Sequence, residues 1–187
     1  MRVIAGSAKG RELEAPKGMS TRPTLAKVKE AMFGMIQFDV PYASVLDMFA
    51  GSGALGIEAL SRGAKSAVFC DTDRQAVSVV RANLKKLGFE DRARVFQGDA
   101  ISLASSMQGQ GFDIVLLDPP YKTPLASKAI AALDENSLLN DGALIICEHS
   151  GDNPPAIPKC GFTARAPKKY GDSFVTLITY SKEGQST

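Results

Sequence analysis

The middle of this 187-residue chain alternates continuous apolar runs with amphipathic segments. "SVLDMFA", "SAVFCD", "ARVFQGD", "FDIVLLD" and "GALIICEH" read as strands, and "LGIEALSRG", "DRQAVSVVRANLKKLG", "ISLASSM" and "LASKAIAALDENSLL" as the helices between them. Runs this uniformly apolar belong to sheets covered on both faces, whereas half-exposed strands alternate. Repeated strand–helix units predict a doubly wound, mostly parallel α/β sheet. In the longest helix Val77, Val80, Leu84 and Leu87 share one face, with Asp73 as N-cap and Gly88 closing it. Upstream, "RPTLAKVKEAMFGMI" predicts one more helix, N-capped by Thr24. The end of the chain breaks the pattern. "GDNPPAIPKCG" holds three prolines and makes a poor helix. "FTARAPKKYG" and "SFVTLITYS" then read as two strands joined near Gly171-Asp172. They bring the expected sheet to seven strands, closed by an antiparallel hairpin.

A chain of this length buries roughly 70% of its unfolded surface and needs no staples. The expected organisation is one domain over residues 1–187: an N-terminal arm or loose hairpin (1–24), an α/β core (25–180) and a flexible tail (181–187). Cys70, Cys147 and Cys160 lie far apart without a CxxC pair and read as reduced structural thiols, which suggests a cytoplasmic protein. His149 is the single histidine, so a His-based metal site is not expected; it reads as a satisfied structural residue. No apolar run reaches the ~18 residues of a membrane span, and the first residues lack the apolar core of a signal peptide.

The net charge of +2 is unevenly placed. Residues 1–30 hold seven basic side chains against three acidic ones, +4, which leaves −2 for the remainder. A basic arm on a slightly acidic body suits a phosphate-rich partner, although charge alone favours a solvated terminus.

"DMFAGSGALG" follows the first strand, with Gly51, Gly53 and Gly56 in GxGxxG spacing and Asp71 closing the next strand. The spacing alone is the dinucleotide fingerprint. Three features depart from a dehydrogenase. Asp47 puts a carboxylate beside the turn, where it repels a pyrophosphate and attracts an ammonium group. Asp71 suits the two hydroxyls of a ribose. Asp99 suits an adenine amino group, with the Ala100 amide donating to the ring. S-adenosylmethionine meets all three conditions, and the candidate cofactor residues are Asp47, Phe49, Ala50, Gly51, Gly53, Asp71, Thr72, Asp99 and Ala100.

Asp118-Pro119-Pro120-Tyr121 closes the fourth strand. Two prolines fix φ near −65° and remove two donors, leaving a stiff rack of acceptors. The Asp118 carboxylate and the Pro119 carbonyl can both take hydrogens of one exocyclic amine, and Tyr121 offers a flat face to a base. Accepting both hydrogens localises the amine lone pair, so the nitrogen can attack a sulfonium methyl in line, with no metal and no covalent intermediate. These four residues are the candidate catalytic set.

"VLDMFAGSGALGIEALSRGA", "GDA" and "DPPY" resemble the class I S-adenosylmethionine-dependent methyltransferases that act on exocyclic amines. "RVIAGSAKGRELEAPKG", "RPT", "VKEAMF" and "KKYGDSFVTLITY" narrow the resemblance to the bacterial small-subunit ribosomal RNA (guanine-N2-)-methyltransferase (RsmD) family, over about Arg2 to Tyr180. That family often carries Asp-Arg where this chain has Ala26-Lys27, and Arg where it has Lys29. The resemblance implies a guanine N2 target in 16S ribosomal RNA, within a small-subunit particle, and a monomeric cytoplasmic enzyme. It also gives Arg2, Lys9, Arg11, Lys17 and Arg22, with Lys168 and Lys169, the role of gripping phosphates. The rival readings are a same-fold enzyme acting on adenine N6 in DNA or on a glutamine amide, a nicotinamide-dependent dehydrogenase, and a non-catalytic RNA-binding scaffold.

Overall fold

The computed structural model describes residues 1–16 and 23–182. Its strands are β1 (Ser44–Asp47), β2 (Ser66–Asp71), β3 (Ala93–Gln97), β4 (Phe112–Leu117), β5 (Leu139–Ser150), β6 (Phe162–Ala164), β7 (Lys168–Tyr170) and β8 (Ser173–Tyr180). They form one sheet in the order β3-β2-β1-β4-β5-β8-β6, with β7 paired to β8 off that path. The first five strands are mutually parallel, and β8 runs antiparallel to β5, β6 and β7. The order reverses between β1 and β4, so a crevice opens at their carboxyl ends, where open α/β sheets bind ligands.

The helices are α1 (Pro23–Met35), α2 (Ala54–Ser61), α3 (Arg74–Leu87), α4 (Ala100–Ala104) and α5 (Leu125–Glu135). Each face of the sheet has its own core. Val45, Phe69, Ile114 and Leu116 pack with α1, α2 and α3; Leu46, Val68, Val115 and Leu117 pack with α4 and α5. Adjacent strand residues thus enter opposite cores, which is why the runs are continuously apolar. Asp73 caps α3 by accepting from Gln75 N at 2.8 Å, and Gly88 ends it in left-handed backbone.

Several expectations need correction. Among the described residues the sheet has eight strands, because the segment expected as the sixth splits into β6 and β7 around Arg165–Pro167; Pro167 has no N–H to continue the ladder. Thr24, expected as the cap, falls inside the described span of α1. The described arm is docked rather than loose. Val3, Ala8 and Leu13 are buried, Ser7 N donates to Ser61 O at 2.8 Å, and Glu14 N donates to Asn83 Oδ1 at 2.9 Å. At the tail, Ser181 N donates to Gly161 O at 2.8 Å and Lys182 N to Asp141 Oδ1 at 2.8 Å, while residues 183–187 lie outside the described residues. Cys70 and Cys147 are buried, but Cys160 is exposed and has no structural role of that kind. Among the described residues no helix is long and apolar enough to cross a membrane.

Candidate active site

β1 leads through Met48, Phe49 and Ala50 into a turn at Gly51, Ser52 and Gly53 before α2 begins. Gly51 and Gly53 take left-handed backbone, with φ of 53° and 78°, which glycine adopts without a Cβ penalty. The turn is tied to its neighbours. Ala50 N donates to Cys70 O at 3.0 Å, and Gly51 N to Asp71 Oδ2 at 2.7 Å. A Cβ on Gly56 would stand 2.3 Å from the Phe69 ring, so glycine there lets α2 lie close on β2.

Beyond the turn a cavity of ≈ 620 Å³ opens across the carboxyl ends of the parallel strands, within the ~300–1,000 Å³ of small-molecule sites. Six of the nine expected cofactor residues line it: Phe49, Gly51, Asp71, Thr72, Asp99 and Ala100. The other three do not. Ala50 faces the opposite side of the turn, onto a second cavity of ≈ 120 Å³ shared with Met1, Phe49, Asp118 and Glu148. Gly53 lies against Ile57 and Val80 and serves as the N-cap position of α2. Asp47 is wholly buried, and its Oδ2 accepts from Gly56 N at 2.9 Å. It supports the turn from beneath rather than facing the cavity.

Asp47 Oδ1 has no hydrogen-bond partner among the described residues. Burial, helped by the Asp71 charge, pushes this carboxyl up to about 7 against the lowering effect of the Gly56 and Phe49 N–H groups. An unsatisfied acidic group behind the turn favours a cationic ligand end in front of it, which S-adenosylmethionine has and a pyrophosphate does not. Asp71 accepts from Gly51 N and, at 2.9 Å, from Asp73 N. A carboxylate has about four lone-pair sites, so two remain for ribose hydroxyls. Asp99 serves in two ways. It caps α4, accepting from Ile101 N at 3.2 Å and Ser102 Oγ at 3.0 Å, and it lines the cavity. The donor set therefore fits this cofactor.

Asp71→Ala removes both the ribose acceptors and the tie to Gly51. Charge-assisted hydrogen bonds contribute about 1.5–3 kcal/mol each, so cofactor affinity measured by calorimetry falls at least about tenfold. An unchanged affinity would take Asp71 out of the cofactor site.

Asp118, Pro119, Pro120 and Tyr121 all line the larger cavity, and Asp118 also lines the smaller one. The corner is braced from outside: Thr123 Oγ1 donates to Pro120 O at 2.7 Å, and Asn153 Nδ2 to Thr123 O at 2.9 Å. Among the described residues no donor reaches the Asp118 carboxylate or the Pro119 carbonyl, so both remain available to a ligand amine. Tyr121 is 45% exposed. Its hydroxyl donates to Glu148 Oε1 at 2.6 Å and lies 2.6 Å from Ser173 Oγ, which fixes the ring against the closing hairpin. Desolvation pushes the Asp118 carboxyl well above the usual carboxylate range, and the charges of Glu148 and then Asp47 add to this.

Glu148 is the site residue that the sequence reading passed over. It is 3% exposed and lines both cavities. A signal existed, because β5 closes its apolar run on an acid as β1, β2 and β4 do. The neighbouring His149 has the structural role expected of it. Its Nδ1 donates to Ser150 O at 2.8 Å, its Nε2 meets Thr176 Oγ1 at 2.8 Å, and Phe174 stacks on the ring.

The expected phosphate-binding residues are spread more widely. Arg2 pairs with Glu12 at 2.7 Å on the surface. Arg11 donates to Lys86 O at 3.1 Å. Lys9, Lys168 and Lys169 are exposed. Lys168 opens on a groove between α1 and β7 with Lys27 and Arg165, apart from the two cavities. Lys17 and Arg22 lie outside the described residues. Lys29 is turned inward, with Nζ 3.0 Å from Glu58 Oε2 and donating to Arg2 O at 2.8 Å, so the arginine that the resembling family often has there bears on arm docking rather than on RNA.

A doubly wound sheet with a glycine turn after β1, an acid closing β2 and Asp-Pro-Pro-Tyr closing β4 defines the Rossmann-like methyltransferase class. Within it the chain belongs to the family described as Conserved hypothetical protein 95, whose model matches residues 1–179. It is similar to the Bacillus subtilis protein YlbH, 45% identical over 98% of this chain and 100% of that one. It is also similar to the ribosomal RNA small subunit methyltransferase D of Escherichia coli K12, 35% identical over 100% of this chain and 93% of that one. The solved structure of the Escherichia coli protein yhhF matches with a TM-score of 0.86 at 34% identity, covering 97% of this chain and 98% of that one.

Proposed function

We propose that the protein transfers a methyl group from S-adenosylmethionine to the N2 amine of a guanine in 16S ribosomal RNA. The observation behind this is the meeting of two cavities at Asp118, where a cofactor-sized space joins a small one through a rigid, donor-free corner. When bound, the cofactor supplies an electrophilic methyl on a cationic sulfur. The chain's own residues position the acceptor. Asp118 and the Pro119 carbonyl accept hydrogen bonds from the two amine N–H groups, and the fixed Tyr121 ring borders the base. Preorganised acceptors of this kind lower the barrier without reorganising during the reaction. A guanine within folded RNA must leave its stack to reach this depth. The relatives named as ribosomal RNA small subunit methyltransferase D support an rRNA target.

The substrate in this reading is an assembled small-subunit particle in the cytoplasm, and the enzyme acts as a monomer. Arg2, Lys9 and Arg11 on the docked arm, and Lys168 and Lys169 on β7, contact phosphates around the target. Arg11→Glu combined with Lys168→Glu lowers affinity for the particle and makes its salt dependence shallower, by roughly one logarithmic unit for each phosphate no longer neutralised. An unaltered salt slope would remove these two residues from the interface.

The deciding experiment maps N2-methylguanine in 16S rRNA from cells lacking the protein. The purified enzyme and labelled cofactor are then offered those 30S particles, naked rRNA and DNA. One guanine that loses its methyl in the cells and regains it on the particle is the expected result. Label found only in DNA adenine overturns the reading.

A further inference from the structure

We propose that Glu148 reads the identity of the target base, accepting the N1–H of guanine while Asp118 and the Pro119 carbonyl hold the N2 amine; this rests on the guanine reading above. The Watson–Crick edge of guanine presents two adjacent donors, N1–H and the N2 amine. Adenine presents an amine beside an N1 lone pair. A second acceptor next to the amine-binding corner therefore welcomes one base and repels the other.

Glu148 occupies that place by register. In the parallel β4–β5 pair Leu117 stands opposite Cys147, so the next residues along each strand, Asp118 and Glu148, are neighbours at the carboxyl edge. Both line both cavities. The carboxylate is held on one side only. Its Oε1 accepts from Tyr121, whose hydroxyl also meets Ser173 on β8, while Oε2 takes no hydrogen bond from the described residues. No described cation pairs with it either. Lys29, the one basic side chain among the described residues of the smaller cavity, is engaged by Glu58 and Arg2 O.

With Oε1 taken by Tyr121, Oε2 is left open to the cavities, where a ligand N–H can replace solvent. Glu148 also raises Asp118, so the free corner disfavours two full negative charges, and a base edge with two adjacent donors offsets their repulsion. The Tyr121 hydrogen bond fixes the Glu148 rotamer, which makes the second acceptor part of the same rigid corner.

The test replaces the mapped guanine in reconstituted 30S particles with 2,6-diaminopurine, which keeps the N2 amine but has an unprotonated N1. Glu148→Gln keeps the side-chain length and an oxygen for the Tyr121 hydroxyl, and turns an N–H donor toward N1. The wild-type enzyme prefers guanine by on the order of 100-fold in kcat/KM, because a site built to accept a hydrogen discriminates strongly against its absence. Glu148→Gln loses on the order of 100-fold on guanine and far less on diaminopurine, so the preference collapses or reverses, with cofactor affinity within about threefold. Glu148→Asp keeps the charge and retains the guanine preference at reduced rates; it supplies the readout if the glutamine variant does not fold. Equal losses on both bases in Glu148→Gln, a wild-type enzyme indifferent to the two bases, or a Glu148→Asp enzyme that has lost its preference overturns the proposal. A wild-type enzyme inactive on guanine particles overturns the functional reading instead.

Discussion

Asp118→Ala lowers turnover by on the order of 100-fold or more while cofactor affinity stays within about threefold. The side chain lies at the joint of the two cavities and offers acceptors rather than packing, so its loss falls on the transition state; removing one preorganised polar group from such a site costs about 10²–10³. Asp118→Asn separates two roles. If the residue serves as an acceptor, the amide oxygen preserves much of the rate, whereas a required base leaves asparagine no better than alanine. The pH profile gives a second check. Desolvation, then Glu148, then Asp47 all raise this carboxyl. Below its raised pKa the group is neutral and offers weaker acceptors, so kcat/KM, which reports the free enzyme, climbs as pH rises through a value above the ordinary carboxylate range of about 4. The acid limb is absent in Asp118→Ala. In Glu148→Gln it moves to lower pH, because one of the charges holding the proton on Asp118 is gone. A wild-type profile already flat above the ordinary range, or an Asp118→Ala enzyme with near-normal turnover, would remove Asp118 from the mechanism.

The parts of this site that were legible in the sequence are those that a strand end announces locally. An apolar run that stops at Asp71 or Asp118 places a carboxylate at the carboxyl edge of a parallel sheet, and a Gly-x-Gly after the first run marks the turn. Asp47 and Gly53 carry the same sequence signal but answer to tertiary packing. The first accepts from the α2 backbone, and the second is pressed against Ile57 and Val80. Glu148 was obscured because β5 continues to Ser150, beyond the acid, so the carboxylate reads as an interior strand residue. The eighth strand was obscured for a similar reason. Only the pairing of both β6 and β7 with β8 shows that Pro167 interrupts one long partner.

Glu58 was the least legible residue of all. No motif singles it out, yet it is wholly buried. Its carboxylate accepts from Ile4 N at 2.8 Å and Ala5 N at 2.9 Å, and it pairs with Lys29 at 3.0 Å and Arg62 at 2.9 Å. Arm, α1 and α2 therefore meet on one side chain, which explains how a basic, glycine-rich terminus is held in a fixed place with Met1 against the smaller cavity.

Glu58→Ala accordingly destabilises the protein by about 3–5 kcal/mol, the cost of leaving a buried partner charge uncompensated. The partner that suffers is Lys29, whose ammonium is already disfavoured by burial and is sustained mainly by Glu58; Arg62 is more exposed and can turn to water. Two backbone donors are orphaned as well, so the damage concentrates in the arm. Hydrogen exchange in residues 1–14 accelerates more than in β1 or β4, and affinity for the 30S particle falls together with it. Because the glycine turn and the ends of β2 and β4 make no bond to Glu58, cofactor affinity of the folded fraction changes little. Pairing the substitution with Lys29→Met recovers part of the stability by removing the stranded ammonium, but leaves the arm mobile, since Ile4 N and Ala5 N still lack their acceptor. Unchanged exchange across residues 1–14 in Glu58→Ala would show that the apolar contacts of Val3, Ala8 and Leu13 hold the arm by themselves.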